Sequence, residues 1–166
     1  MSVILESAVA SLRRARWRIA GVVAALLILS LVTETQAMAK MCLFSPVRGM
    51  LLLDGQPVTG ALVKRTWFWH WKDQRGEDST RADDQGAFSF PAVYGGSFLG
   101  GLLPHEPIIE QRIVVDHLGK QYELWVHFKH SYKEGSELGG KPVNLRCQLD
   151  GERIRRDGIS GLCEWG

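Results

Sequence analysis

The sequence has no CxxC or HExxH spacing, which removes the usual ligand arrangements of a zinc site. It has no GxGxxG, and no glycine-rich run ends in Lys-Ser/Thr, so nothing in it is built to cradle a phosphate. No G-x-S-x-G elbow is present. Ser131 directly follows His130, and in an extended chain adjacent side chains point apart, so the two do not make a nucleophile–base pair. Cys42 has no base near it in sequence, and turn chemistry accounts for the carboxylate pair Asp83-Asp84. The five histidines (His70, His105, His117, His127 and His130) are scattered, and His127 and His130, three apart on a strand, face opposite ways. The expectation is a protein that is not an enzyme, with no catalytic residue, no metal and no cofactor. A charge of one sign is missing too. Four arginines and two glutamates precede residue 40, which leaves 16 basic and 16 acidic residues in the remainder. Nucleic-acid binding needs a clustered basic footprint and is set aside. After residue 40 there is no helical periodicity, no internal repeat and no low-complexity tract.

What is present begins with a targeting segment. Arg13 to Arg18 form a basic region, Ile19 to Val32 form an apolar run of 14 residues, and Ala37-Met38-Ala39 is a small-residue cleavage pattern. The run is shorter than the ~20 residues that span a bilayer. Residues 1–39 are therefore read as a signal peptide, with an uncleaved membrane anchor as the alternative and membrane contact only in that case. Arg13-Arg14 is a twin-arginine pair with a poor continuation in Ala15-Arg16-Trp17. Lys40 and Met41 place a charge and a large residue ahead of Cys42, which argues against a lipid anchor there. The basic segment and the chain length favour export to a bacterial periplasm.

Export changes the meaning of the three cysteines, Cys42, Cys147 and Cys163, because disulfides persist outside the cytosol. Three thiols allow three single pairings, and sequence does not choose among them. Cys147–Cys163 is preferred because it closes the polar stretch Gln148 to Leu162, leaving Cys42 buried or free.

Turn signals at short intervals separate runs with period-two alternation, the pattern of an all-β sandwich in one domain, residues 40–166. Seven strands are predicted: Val47–Leu53, Ala61–Trp71, Asp78–Ala82, Ala87–Phe90, Ile108–Asp116, Gln121–Lys129 and Pro142–Leu149. Lys72 to Glu77 reads as a loop, and Asp83 to Gly86 as a turn joining a short hairpin. Gln121 to Lys129 alternates Tyr122, Leu124, Val126 and Phe128 against Gln121, Glu123, Trp125 and His127. Lys133 to Gly140 is a polar excursion with room for one helical turn.

Two stretches, FSPVRGMLLLDGQPVTGALV and TRADDQGAFSFP, resemble the carboxypeptidase regulatory-like domains, whose fold is a transthyretin-like β-sandwich. The family pattern falls on Gly49, Leu51, Gly55, Pro57, Val58, Gly60, Ala61 and Val63, then on Asp83, Gly86, Phe88 and Phe90. Ala82 departs from it, standing where a threonine is usual. The second half, from HEPIIEQRIVV to GLCEW, is similar to a group of proteobacterial domains of unknown function. The resemblance spans roughly residues 42–166 and implies a seven-stranded Greek-key sandwich. It also implies the setting of immunity proteins that neutralise type VI secretion toxins, among them a partner of a zinc-metallopeptidase effector.

The segment RTWFWHW is the densest aromatic run. Trp67, Trp69 and Trp71 share a strand face with Ala61, Val63 and Arg65, so Trp67 and Trp69 are expected in the core. His70 and Trp71, at the end of the strand, are expected to reach solvent. The connection YGGSFLGGLLPHEP carries Phe98, Leu99, Leu102 and Leu103, which either cap the sandwich or form an apolar patch. His70, Trp71, Phe98, Leu99, Leu102 and Leu103 are the candidate contacts for a protein partner, a toxin acting in the periplasm. A general cell-envelope accessory role and a glycan-binding module are the alternatives.

Overall fold

The computed structural model describes residues 40–96 and 104–166. The signal helix or anchor of residues 1–39 and the loop residues Phe98, Leu99, Leu102 and Leu103 fall outside them. The described residues are almost all β. The strands are β1 (Lys40–Phe44), β2 (Val47–Leu53), β3 (Gln56–Pro57), β4 (Leu62–Trp69), β5 (Gln74–Arg81), β6 (Ala87–Phe90) and β7 (Val93–Gly96). After residue 104 come β8 (Ile109–His117), β9 (Lys120–Lys129), β10 (Val143–Gln148), β11 (Ile154–Arg156), β12 (Ile159–Gly161) and β13 (Cys163–Trp165).

One antiparallel sheet runs β11-β12-β9-β8-β4-β5. A second runs β13-β10-β2, with β3 and β6 sharing the far edge of β2 and β10 parallel to β2. Val47, Leu51, Phe88, Phe90 and Leu145 from the second sheet pack with Val63, Ile113, Val115, Leu124 and Trp125 from the first. Two sheets closing on one apolar layer make the β-sandwich expected from the alternation. The pair β1–β7 adds a smaller cluster of Met41, Leu43, Trp69 and Ile109.

Several expected elements change. Seven predicted strands become thirteen among the described residues, because β1, β3, β7 and β11 to β13 are too short to show a period of their own. The expected loop at Lys72 to Glu77 shrinks to a 3₁₀ turn, His70–Lys72. Asp73 takes a left-handed conformation at φ 48°, and the chain returns at Gln74 to pair with Trp69. The predicted strand 61–71 therefore ends at Trp69. The expected hairpin between Asp78–Ala82 and Ala87–Phe90 does not form, since β5 pairs with β4 and β6 pairs with β2. The chain changes sheets at Ala82, whose N–H bonds Ala61 O while the next N–H, from Asp83, bonds Ala87 O. The turn itself is as read: Asp83 Oδ1 accepts from the N–H groups of Gln85 and Ala87, and Gly86 sits at φ 74°.

The alternation of β9 also breaks. Ile113 pairs with Trp125 and Val114 with Glu123, so Leu124 is a bulge residue. One extra residue shifts the facing of everything after it. Leu124 and Trp125 are both buried, Lys129 turns inward to 1% exposure, and Phe128, expected on the apolar face, is 47% exposed.

The odd-numbered face of β4 holds a residue that hydropathy does not anticipate. Arg65 is fully buried and forks onto its cross-strand partner Asp78, with Nε to Oδ1 at 2.9 Å and Nη2 to Oδ2 at 2.5 Å. Its Nη1 donates to Pro91 O, and the guanidinium lies 4.6 Å from the Phe90 ring centre and 5.0 Å from that of Phe44. Trp67 is only half-buried, lying across β5 where a side chain at Gly76 would come within 2.2 Å of its ring. Trp69 is the fully buried member of the three.

Cys147 and Cys163 are opposite each other in the β10–β13 ladder and form a disulfide, so the preferred pairing is the observed one. It fastens the edge strand β13 to the second sheet and closes the excursion that carries β11 and β12. Cys42 is buried and free. Replacing both cysteines by serine is expected to lower unfolding stability by about 3 kcal/mol, read from urea melts under matched conditions.

Candidate binding site

Two side-chain assemblies stand out, one buried and one at the surface. The buried one centres on the ion pair of Lys129 and Glu137, whose side chains are 1% and 0% exposed with Nζ 2.9 Å from Oε1. Glu137 arrives on the 3₁₀ turn Ser136–Leu138, which sits in the expected polar excursion. Its Oε2 accepts from Ser45 Oγ at 2.6 Å, and its Oε1 also accepts from Ser45 N and Gln111 Nε2. Gln111 Nε2 donates in addition to Leu43 O, and the Gly135 N–H donates to Ser45 Oγ. Burial alone would raise the Glu137 pKa, but the Lys129 ammonium and the bonds from Ser45 and Gln111 outweigh it and hold the carboxyl below its ordinary value. For Cys42 the balance goes the other way, and burial pushes its thiol up. The charges are paired and shut away from solvent, so this assembly holds strands together rather than presenting groups to a substrate.

The surface assembly is aromatic. Trp71 lies in the 70–72 turn at 38% exposure and stacks on His105, with ring centres 3.9 Å apart and planes 20° apart. His105 Nε2 is 2.7 Å from Tyr132 Oη, and the buried Trp69 indole donates to the same oxygen at 2.9 Å. Burial pushes the Tyr132 phenol up, and the bond from Trp69 partly offsets it. Trp71 is thus an exposed indole braced by three rings that lead back to the core. Beside it, Lys72 Nζ donates to Gly96 O at 2.9 Å. Gly96 and His105 flank residues 97–103, so both approaches to that segment meet this turn.

The structure therefore brings His70 and Trp71 to the surface, as expected. His70 is exposed and lies 4.3 Å from the Phe68 ring centre. Phe98, Leu99, Leu102 and Leu103 lie outside the described residues. His105 and Tyr132 were missed as members of this group, because they come from distant segments that no local pattern connects. The other histidines are dispersed: His127 Nδ1 lies 3.2 Å from Gly158 O, and burial pushes its pKa down. His130 faces Glu106 at 3.4 Å. Among the described residues no three His, Cys, Asp or Glu side chains converge as metal ligands.

A groove of about 440 Å³ on the outer face of the first sheet is floored by Thr66 and Phe68 and walled by Arg75, Glu77, Glu110 and Arg112. Three of these charged side chains already have partners. Arg112 pairs with Glu110 and Glu123, and Arg75 lies over the Phe68 ring.

Fold and site together define an all-β sandwich with a braced aromatic end. Residues 47–152 match the family described as Domain of unknown function (DUF6795), and the chain belongs to that family. No curated protein and no solved structure matches the chain. The matched span takes in Lys129, Glu137, Trp71, His105 and Tyr132, and leaves Cys42, Ser45 and Cys163 outside.

Glu137→Gln is expected to cost about 3 kcal/mol at neutral pH, because it strands the Lys129 charge. The pH dependence has a definite sign. A depressed carboxyl contributes its full stability above its ordinary value of 4.5 and loses it as pH falls through the lower folded value. Wild type should therefore lose urea stability more steeply than the Gln variant does as pH falls below 4.5.

Proposed function

We propose that this is a non-enzymatic, exported protein that binds another protein with the Trp71 end of the sandwich. The observation that carries the reading is the bracing of Trp71. Large aromatic anchors dominate protein interfaces, and an anchor held in place before binding loses less conformational entropy on binding. Trp71 is half-exposed, stacked on His105 and tied through Tyr132 to the buried Trp69. His70 and the flanks of residues 97–103 stand around it, which suits a contact surface wider than one side chain.

The finer reading names the partner as a toxin delivered into the periplasm by type VI secretion, a metallopeptidase effector being one kind. The protein would neutralise it by covering its active surface. The resemblance of the second half of the chain to domains from that setting supports this, as does a disulfide of the sort that persists outside the cytosol. A second reading, glycan binding, draws on the same exposed indole. It requires cell-wall sugars to change the tryptophan fluorescence, and a flat titration removes it.

The test is a pull-down from periplasmic extract with the full chain as bait, followed by co-expression with the toxin candidate encoded next to its gene. Binding and protection are expected for wild type. Trp71→Ala is expected to weaken binding by about 2 kcal/mol, roughly thirty-fold, with an unchanged circular dichroism spectrum. His105→Ala should weaken it less. Full affinity in both variants would remove this end of the sandwich as the contact, and failure to protect against any neighbouring toxin would remove the immunity reading.

A further inference from the structure

Cys42 lies on β1 at 1% exposure and is the cysteine left over by the disulfide. Its Sγ is 3.7 Å from Lys129 Nζ, and Ser45 Oγ is 3.8 Å from the same sulfur. Lys129 Nζ is in turn 2.9 Å from Glu137 Oε1 and 3.3 Å from Ser45 Oγ. A thiol and an amine, both nucleophiles, therefore face each other inside a dry cluster that holds a carboxylate able to take a proton. A buried structural cysteine needs only apolar neighbours, so pairing it with the one buried lysine among the described residues is chemically specific. The same cluster contains an independent irregularity. Gln111 is fully buried, and its Oε1 finds no donor among the described residues. Native interiors rarely leave such an acceptor unmet.

The geometry points to Cys42 and Lys129 as the two ends of a covalent nitrogen–oxygen–sulfur bridge, formed when the folded protein meets dioxygen. Glu137 takes the extra proton of the Lys129 ammonium, leaving a neutral amine. The S–H bond of Cys42 and one N–H bond of Lys129 break. One atom of dioxygen joins sulfur to nitrogen, and the other leaves as water with the two hydrogens released. Sulfur and nitrogen each lose two electrons, and these four electrons reduce the two oxygen atoms. The bridged amine keeps one hydrogen.

The consequence is a strap. Among the described residues, strand pairing holds β1 only to β7, and one further backbone bond runs from Cys42 N to Tyr132 O. A bridge from Cys42 to Lys129 fastens β1 covalently to the end of β9, three residues before the tyrosine that braces the aromatic end. The inference stands apart from the proposed function, because the bridge can form whatever the protein binds.

The test uses the full chain, purified without reductant, held in air-saturated buffer, digested and mapped by mass spectrometry. The expected result is a linked peptide pair carrying Cys42 and Lys129, heavier by one oxygen and lighter by two hydrogens than its separate parts. Dithiothreitol should split it and return a titratable thiol. Cys42→Ser, which keeps a hydrogen-bonding group in place, and Lys129→Arg, which keeps a cation against Glu137, should each abolish the linked pair. The wild-type map decides the matter even if the arginine variant fails to fold. A Cys42 that stays a free thiol in air, or one that gains oxygen without becoming linked to Lys129, would overturn the proposal.

Discussion

The buried ion pair of Lys129 and Glu137 is the constraint on which the rest of the molecule leans. Removing two charges from water costs several kcal/mol per ion unless each finds close partners. Glu137 finds them on three separate elements: Lys129 at the end of β9, Gln111 on β8 and Ser45 just after β1. The polar excursion after β9 offers only Tyr132 and Leu138 to the apolar clusters, and this network joins them in folding it back onto the sandwich. Strand β1 is recruited by the same contacts. It belongs to neither large sheet and would otherwise depend on β7 and its own apolar packing.

That constraint reaches the surface through one residue. Tyr132 lies in the same excursion, and its carbonyl takes the Cys42 N–H while its hydroxyl meets both Trp69 and His105. Trp71 stacks on His105, so the exposed anchor is positioned by contacts that begin at a buried carboxylate. The two assemblies are therefore mechanically one: the inner one sets the excursion, and the outer one inherits its position. The scaffold thus presents an aromatic side chain on a short turn, which is the feature the proposed protein contact draws on.

The parts of this arrangement differ in how far local sequence reveals them. β2 spans the predicted residues, and the 109–129 hairpin and the buried face of Val143, Leu145 and Cys147 follow from period-two alternation. The turn at Asp83 to Gly86 follows from residue chemistry. β5 was half hidden because Gln74 to Gly76 are polar or glycine, and their pairing is dictated by β4 rather than by their own pattern. The bulge at Leu124 inverted the expected facing of Phe128 and Lys129, and no single-strand pattern announces a bulge. Arg65, Lys129 and Glu137 were invisible as interior residues because charge reads as surface unless the partner is known, and their partners are set by the fold. The site was legible only in its continuous piece. His70 and Trp71 stood at a strand end in the sequence, whereas His105 and Tyr132 join them through tertiary structure alone.

The central claim is that the buried carboxylate governs the surface turn. Amide hydrogen exchange on wild type and Glu137→Gln, at a pH where both are folded, tests it most directly. Protection should fall first across residues 130–138 and then in the His70–Lys72 turn, whose His70 N–H bonds Ile108 O in the intact protein. Unchanged protection of that turn in the variant, with the excursion opened, would contradict the coupling.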